Sequence, residues 1–443
     1  MLKLKLIAII LFYSDSITPR LKYTVNFIFK DILGLEIENT NDREKFINSE
    51  GIKINYSESR INKKELFIKP HRLLFESDIE YQNVSFHDFN ENIGLFLTDR
   101  DSDLPFDPFA GTFFLVTRYE EYTDLERDEH DRFEAPQSTA SKYNFLKDPV
   151  IDQWAMMLKN KLADKHPSFN FPEREFNHIS TIDIDNAYAY LHKGSFRTIG
   201  GFIYSFFNFN FKELLQRILV LSGAQEDPYN TYEYIHSVHG KFNVKPVYFY
   251  LFGRYGVYDK NISPANETFQ ELIKETIKYA DIGIHPSYTS NYDLLQLKEE
   301  LKKLAIISGK WIHLSRQHFL KLYLPKTYNN LIRAGISQDF SMGYASDIGF
   351  RAGTCTPFKF YNLKKEEETS LTIFPFPIMD VTLQQYLKLN PEQAVTEIEK
   401  MIKKIKNVKG TFVSLWHNES LSGQDIWSDW RMVFEKMFEY IYN

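Results

Sequence analysis

From Ile179 onward, short apolar runs alternate with amphipathic stretches. The runs Ile179–Ile184, Pro246–Phe252, Ala280–Ile284, Trp311–Leu314, Gly335–Asp339, Leu371–Phe374 and Thr411–Trp416 have strand length, and most are rich in β-branched or aromatic residues. Between them the period changes. Leu294, Leu297, Leu301 and Leu304 recur at three and four residues with Glu299, Glu300, Lys302 and Lys303 opposite, which predicts a surface helix. Asn390 is placed to cap a second helix, Pro391 suits its first position, and Val395, Ile398, Ile402 and Ile405 form its stripe. Trp427, Trp430, Val433, Phe434, Met437, Phe438 and Ile441 predict an amphipathic closing helix. Alternation of this kind implies parallel strands and an α/β layer or barrel. In such folds chemistry gathers at the carboxyl ends of the strands.

The preceding part reads differently. Strand-like runs such as Leu66–Ile68 and Ile93–Leu97 are separated by polar connections. The apolar run Ile7–Tyr13 is read as a first strand rather than a secretion leader, because Asp15, Thr18, Pro19 and Arg20 follow it with no small-x-small cleavage site. A helix is expected over Pro108–Tyr122 with Asp107 capping it, and another from Pro136 to Trp154 continuing through Leu158 and Leu162 toward a linker near His166–Phe176. Arg118, Glu120 and Glu121 suggest an ion-pair set at a domain interface, and Lys364–Glu368 a solvated loop. The expected organisation is a smaller α+β domain over residues 1–172 followed by an α/β domain over 173–443.

Composition narrows the function classes. Hydrophobic residues at 43% and charged residues at 25% fit a globular chain with an ample core. A net charge of -6 without a basic block argues against nucleic acid as a partner. The single cysteine, Cys355, permits no intrachain disulfide. No apolar segment reaches the roughly 20 residues a membrane span needs, and a cytoplasmic location is expected over a secreted one. Oligomeric state is not encoded in these features. The aromatic fraction, 16%, fills core and can also supply flat faces for sugar rings.

Chemistry is concentrated at three strand ends. In Thr181-Ile182-Asp183-Ile184-Asp185 the two aspartates share one face, because strand side chains alternate. Gly283-Ile284-His285 and Leu415-Trp416-His417 each place a histidine directly after an apolar run. Aspartate and histidine from separate strands suit a divalent ion with positions left open for water and substrate, zinc being preferred.

These motifs, spanning Ile179 to His417, resemble the polysaccharide deacetylases of the NodB-homology group, which remove acetyl groups from sugars. The resemblance implies a distorted (β/α) barrel, a divalent metal cofactor and an acetylated carbohydrate as substrate. The family's Thr-Phe-Asp-Asp-Gly motif is matched by Thr181–Asp185, which implies Asp183 as general base and Asp185 as metal ligand, with the inserted Ile184 leaving the two roles exchangeable. His285 matches the first metal-binding histidine, while Thr289 stands where the family has a second; His318 could supply the missing nitrogen. The Arg motif is matched by Arg316, with Arg351 as rival, and Asp339 falls where the family has an acid bracing the catalytic histidine. Leu415-Trp416-His417 matches the last motif and implies His417 as general acid. Arg351, Trp416 and Tyr288 are carried as substrate-contacting positions, Trp416 either stacking on a sugar or packing in the core. Two other readings stay open: a non-catalytic glycan-binding pseudoenzyme, and a metal hydrolase of another C–N bond such as an amide or formyl group.

Overall fold

The computed structural model describes residues 9–443 apart from 90–91 and 124–125. Near the start, β1 (Ile10–Tyr13), β2 (Ile37–Thr40), β3 (Lys53–Asn55) and β4 (Leu66–Phe67) form a parallel sheet in the order β2-β1-β3-β4. The fully buried run of β1 places it centrally, as its all-apolar sequence requires. The antiparallel pair β5 (Phe86–Phe89) and β6 (Asn92–Leu95) follows.

The remaining strands make one nine-stranded sheet: β7 (Asn177–Ile184), β8 (Val247–Leu251), β9 (Asp281–His285), β10 (Leu314–Ser315), β11 (Gln338–Asp339), β12 (Phe358–Asn362), β13 (Glu367–Ile373), β14 (Ile378–Met379) and β15 (Thr411–His417). Its order is β12-β13-β11-β10-β9-β8-β7-β15-β14, parallel throughout except for the hairpin β12–β13. The chain is thus α/β, and the expected distorted barrel takes the form of a curled sheet whose edge strands, β12 and β14, do not pair with each other among the described residues. Curling creates a small inner core in which Val247 and Phe249 of β8 meet Leu314, Phe340, Met379, Val413 and Leu415. Gly283 of β9 makes room in it, since a Cβ there would lie 2.5 Å from the Phe249 ring. The opposite face packs against helices such as Leu294–Ser308, Pro391–Asn407 and Trp430–Tyr442.

The N-terminal region covers the β12–β13 side of this sheet. Tyr23 donates to the Lys359 carbonyl at 2.7 Å, Phe27 packs on Phe358, and buried Arg20 holds Glu366 through two hydrogen bonds of 2.9 and 2.6 Å. Covering an edge in this way removes a site for unwanted strand pairing.

Several expected elements take other forms. The helix Pro108–Val116 is capped by Asp107, whose Oδ1 accepts from the Phe109 and Ala110 N–H groups, but it stops before Tyr122. Arg118 turns to φ 55°, and this bend lets its guanidinium meet both Glu120 and Glu121 at 2.8 Å. The stretch 136–154 is broken into short turns before the helix Val150–Lys165, because Pro149 has no N–H to continue a helix through it. Lys364–Glu368 is a hairpin turn running into β13, with Glu366 committed to Arg20. Strands β10 and β11 keep only two residues each, and Trp311 stands 74% exposed outside the sheet. Strands β12 and β14 were not apparent in the sequence, the latter because Pro375 and Pro377 precede it.

Candidate active site

Parity along the strands sets the geometry. In the parallel register of β15 and β7, His417 lies beside Asp183, and in that of β8 and β9, His285 lies beside Leu251. Side chains two apart share a face, so Asp183, His417 and the first residue beyond β7, Asp185, all turn inward. His318 arrives from the turn His318–Leu320 that follows β10.

Donor atoms of Asp185, His285 and His318 lie within 4.8 Å of one another. His285 Nε2 is 3.2 Å from Asp185 Oδ1, and His318 Nε2 is 3.6 Å from Asp185 Oδ2. The other ring nitrogens are occupied: His285 Nδ1 donates to the Arg316 carbonyl at 2.6 Å, and His318 Nδ1 donates to Asp259 Oδ1 at 2.9 Å. Such partners hold a proton on Nδ1 and turn each Nε2 toward the centre, the orientation typical of metal-binding histidines. Asp185 Oδ1 is a buried acceptor without a hydrogen-bond donor. Two imidazole nitrogens and one carboxylate, one of whose oxygens is unsatisfied, together fit a divalent ion of the zinc type. Burial works against the Asp185 anion, yet His318 and His285 outweigh it and hold the carboxyl well below its usual range. Burial likewise disfavours charge on His318, but Asp185 and Asp259 raise it to about 9.

Two further groups flank this cluster. Asp183 Oδ1 accepts from Arg316 Nη1 at 2.8 Å, and the same nitrogen reaches Thr181 Oγ1 at 2.8 Å. The Arg316 guanidinium is buried against the Phe249 ring, 4.7 Å from its centroid, while its Nε donates to the Phe340 carbonyl. Asp183 Oδ2 remains on the cluster side, 3.9 Å from His285 Nε2. His417 is held by Asp380, whose Oδ1 accepts from Nδ1 at 2.8 Å and whose Oδ2 accepts from the His417 backbone N–H at 2.7 Å. Burial opposes the imidazolium, but Asp380, then Asp185 and Asp183, raise His417 to about 10. A cavity of about 290 Å³ is lined by Asp183, Asp185, His285, His318, His417 and Glu419. Burial and the Asp185 charge push Glu419 up to about 7. The N-terminal region contributes Arg132 to the cavity wall, steadied by Asp128 at 2.6 Å and the Phe319 carbonyl at 3.1 Å.

Four expected positions stand elsewhere. Asp339 does not brace His417; it accepts from Ser315 Oγ at 2.7 Å and the Ser341 N–H at 2.9 Å, securing the turn that carries Phe340. Burial raises it to about 6. Trp416 alternates with His417 and therefore faces the helices, fully buried, with its Nε1 directed at Met437 Sδ and its ring against Phe434. Arg351 is buried in the inter-region contact, where Glu121 takes its Nε and Nη2 at 2.9 and 2.7 Å. Tyr288 stacks on Tyr258, centroids 4.1 Å apart, and lines a separate cavity of about 1150 Å³. Thr289 lines that second cavity too and bonds Gln296, so its side chain is not aimed at His285.

Asp380, Asp259 and Arg132 carried no legible signal. Asp380 follows a strand of only two residues, and Asp259 sits in a loop whose path depends on tertiary contacts.

A family model described as a family of unknown function, DUF7033, matches residues 10–167. No curated protein matches the chain in sequence. Solved structures similar to it include a Mycobacterium smegmatis chain assigned to the polysaccharide deacetylases, 12% identical over 60% of this chain and 85% of that one, with a TM-score of 0.40. A polysaccharide deacetylase from Bacillus cereus is 12% identical, covering 60% of this chain and 86% of its own, with a TM-score of 0.30. A CE4-family pseudoenzyme from Bacillus anthracis is 9% identical, covering 61% and 63%, also with a TM-score of 0.30.

Proposed function

We propose that the chain is a metal-dependent hydrolase that removes an acetyl group from an N- or O-acetylated sugar of a surface polysaccharide or its precursor. The observation carrying this reading is one constellation: the donor triad Asp185, His285 and His318, flanked by a carboxylate tied to Arg316 and a histidine tied to Asp380. A divalent ion held by that triad, zinc by the N/O character of the donors, would supply Lewis acidity toward the acetyl carbonyl and toward water.

The chain's own groups perform the proton work. Arg316 occupies Asp183 Oδ1 and orients the carboxylate, leaving Oδ2 to accept a proton from the attacking water. As the new C–O bond forms and the bond from carbonyl carbon to the sugar nitrogen or oxygen breaks, His417 Nε2 delivers a proton to the departing atom. Asp380 fixes the Nδ1 proton and the ring orientation for that transfer. The cavity is small and lined by both charged and apolar groups, which suits an acetyl group with one sugar ring better than an extended polymer segment buried whole.

The test is acetate release by zinc-loaded full chain from a panel of N- and O-acetylated sugars, with Asp183→Asn expected to reduce it about 10²- to 10⁴-fold. Stoichiometric zinc with no acetate from any member of the panel would defeat the proposal. Release from formylated or cyclic amide substrates instead would favour the other C–N hydrolase. Sugar binding that survives Asp183→Asn, with no hydrolysis by the parent, would favour the glycan-binding role.

A further inference from the structure

The helices Ser195–Phe207 and Phe211–Leu221 form a hairpin between β7 and β8 whose apolar stripe faces outward. Phe196, Ile199, Ile203 and Phe207 recur at three and four residues on one side of the first helix and are 93, 56, 52 and 73% exposed. Phe211, Leu215 and Ile218 continue the stripe on the second at 58, 57 and 47%, and Phe209 at the turn is 78% exposed. These side chains present on the order of 1,000 Å² of apolar surface, against roughly 300–600 Å² for the largest patch on an ordinary monomer.

Charge indicates what covers it. Within 195–221 there are three basic residues, Arg197, Lys212 and Arg217, and one acid, Glu213, in a chain whose net charge is -6. Glu213 is already paired with buried Arg217 at 2.8 Å and Lys212 lies against Asp425, so the remaining basic charge is centred on Arg197 and the exposed Lys260, 3.9 and 5.1 Å from the Tyr255 ring centroid. A twofold contact between copies would set this basic ridge against itself, whereas anionic headgroups complement it. Length points the same way. Thirteen and eleven residues give helices of about 20 and 17 Å, too short for the roughly 30 Å hydrocarbon core but suited to lying in the interface with aromatic side chains immersed. Among the described residues no helix is long and apolar enough to cross a membrane.

The hairpin is anchored to the end of the sheet that bears the metal-binding cluster. Arg197 donates to the Asn261 carbonyl at 2.8 Å, in the loop after β8 that also carries Asp259. Gln216 bonds Tyr190 Oη at 3.0 Å in the segment after β7, and it also bonds Gln424 in the segment after β15. We propose that this hairpin docks the chain peripherally on an anionic lipid surface, holding the catalytic end of the sheet toward substrates carried there. Docking stands on the hairpin alone; the further consequence, that the substrate is an acetylated sugar borne on a lipid, rests on the deacetylase reading.

Flotation of the full chain with vesicles tests it. Vesicles of equal phosphatidylglycerol and phosphatidylethanolamine are expected to carry the parent upward, and pure phosphatidylcholine to carry at least about tenfold less. The combined variant Phe206→Ser, Phe207→Ser, Phe209→Ser alters only exposed positions, so its far-UV spectrum and its acetate release from a soluble sugar should match the parent while its flotation falls at least about tenfold. Asp183→Asn should float as the parent does, which separates docking from catalysis. A parent that does not float with the anionic vesicles, or a triple variant that floats undiminished, would overturn the proposal. So would a stable dimer that the triple variant dissolves and the vesicles do not.

Discussion

Replacing His318 with alanine tests the site where the sequence departs most from the family it resembles. His318 contributes one of the three donors of the triad, and its Nδ1 is tied to Asp259 at 2.9 Å. Structural zinc sites bind with about 10–16 kcal/mol shared over four ligands, so one nitrogen carries on the order of 3 kcal/mol, about 10²-fold in Kd. Asp259→Ala keeps all three donors and removes the partner of the Nδ1 proton together with the acceptor of the Tyr288 N–H, so a smaller loss of about 10-fold, within the 10- to 100-fold range of such partners, is expected. Introducing Thr289→His into the His318→Ala chain should not restore binding, because position 289 opens onto the other cavity beside Gln296. Zinc affinity of metal-stripped protein, measured by competition with a chelating dye at neutral pH, reads all three variants without needing a substrate. Affinity of His318→Ala within about threefold of the parent, with the fold intact by circular dichroism, would refute the assignment of the triad.

Asp380→Asn is expected to lower acetate release about 10- to 100-fold with zinc affinity retained, since the backbone N–H of His417 can meet only the amide oxygen and the NH₂ group then faces Nδ1, which forbids the imidazolium; an unchanged rate would remove His417 as proton donor. Glu121→Gln leaves Arg118 and Arg351 buried without their shared carboxylate and should cost about 3–5 kcal/mol in urea unfolding at pH 7. Burial opposes the Glu121 anion, but Arg351 and Arg118 prevail and depress it to about 2, so its stabilisation is whole above the unfolded value and fades as pH falls toward 2. The parent and variant stabilities should therefore converge across that acid range, and a constant difference would contradict the pairing.

Local pattern was sufficient wherever a residue's role follows from its own strand. The alternation of apolar runs and helical stripes specified an α/β chain, and the period of two put Asp183 and Asp185 on one face with His285 and His417 at strand ends. The Asp107 and Asn390 caps were legible for the same reason, since a cap bonds the first turn of its own helix. Three-dimensional closure decided the rest. Which acid holds His417 depends on β14 lying beside β15, a pairing made by a two-residue strand that no periodicity could announce; the choice fell on Asp380 rather than Asp339. Whether Trp416 meets substrate or core was settled by parity once His417 was fixed inward. The third nitrogen, His318, comes from a turn after β10 rather than from the helix-spaced position at Thr289. Side-chain alternation acts over neighbouring residues and is written in the sequence, whereas convergence on one centre depends on how the sheet curls, which is set by packing among strands distant in the chain.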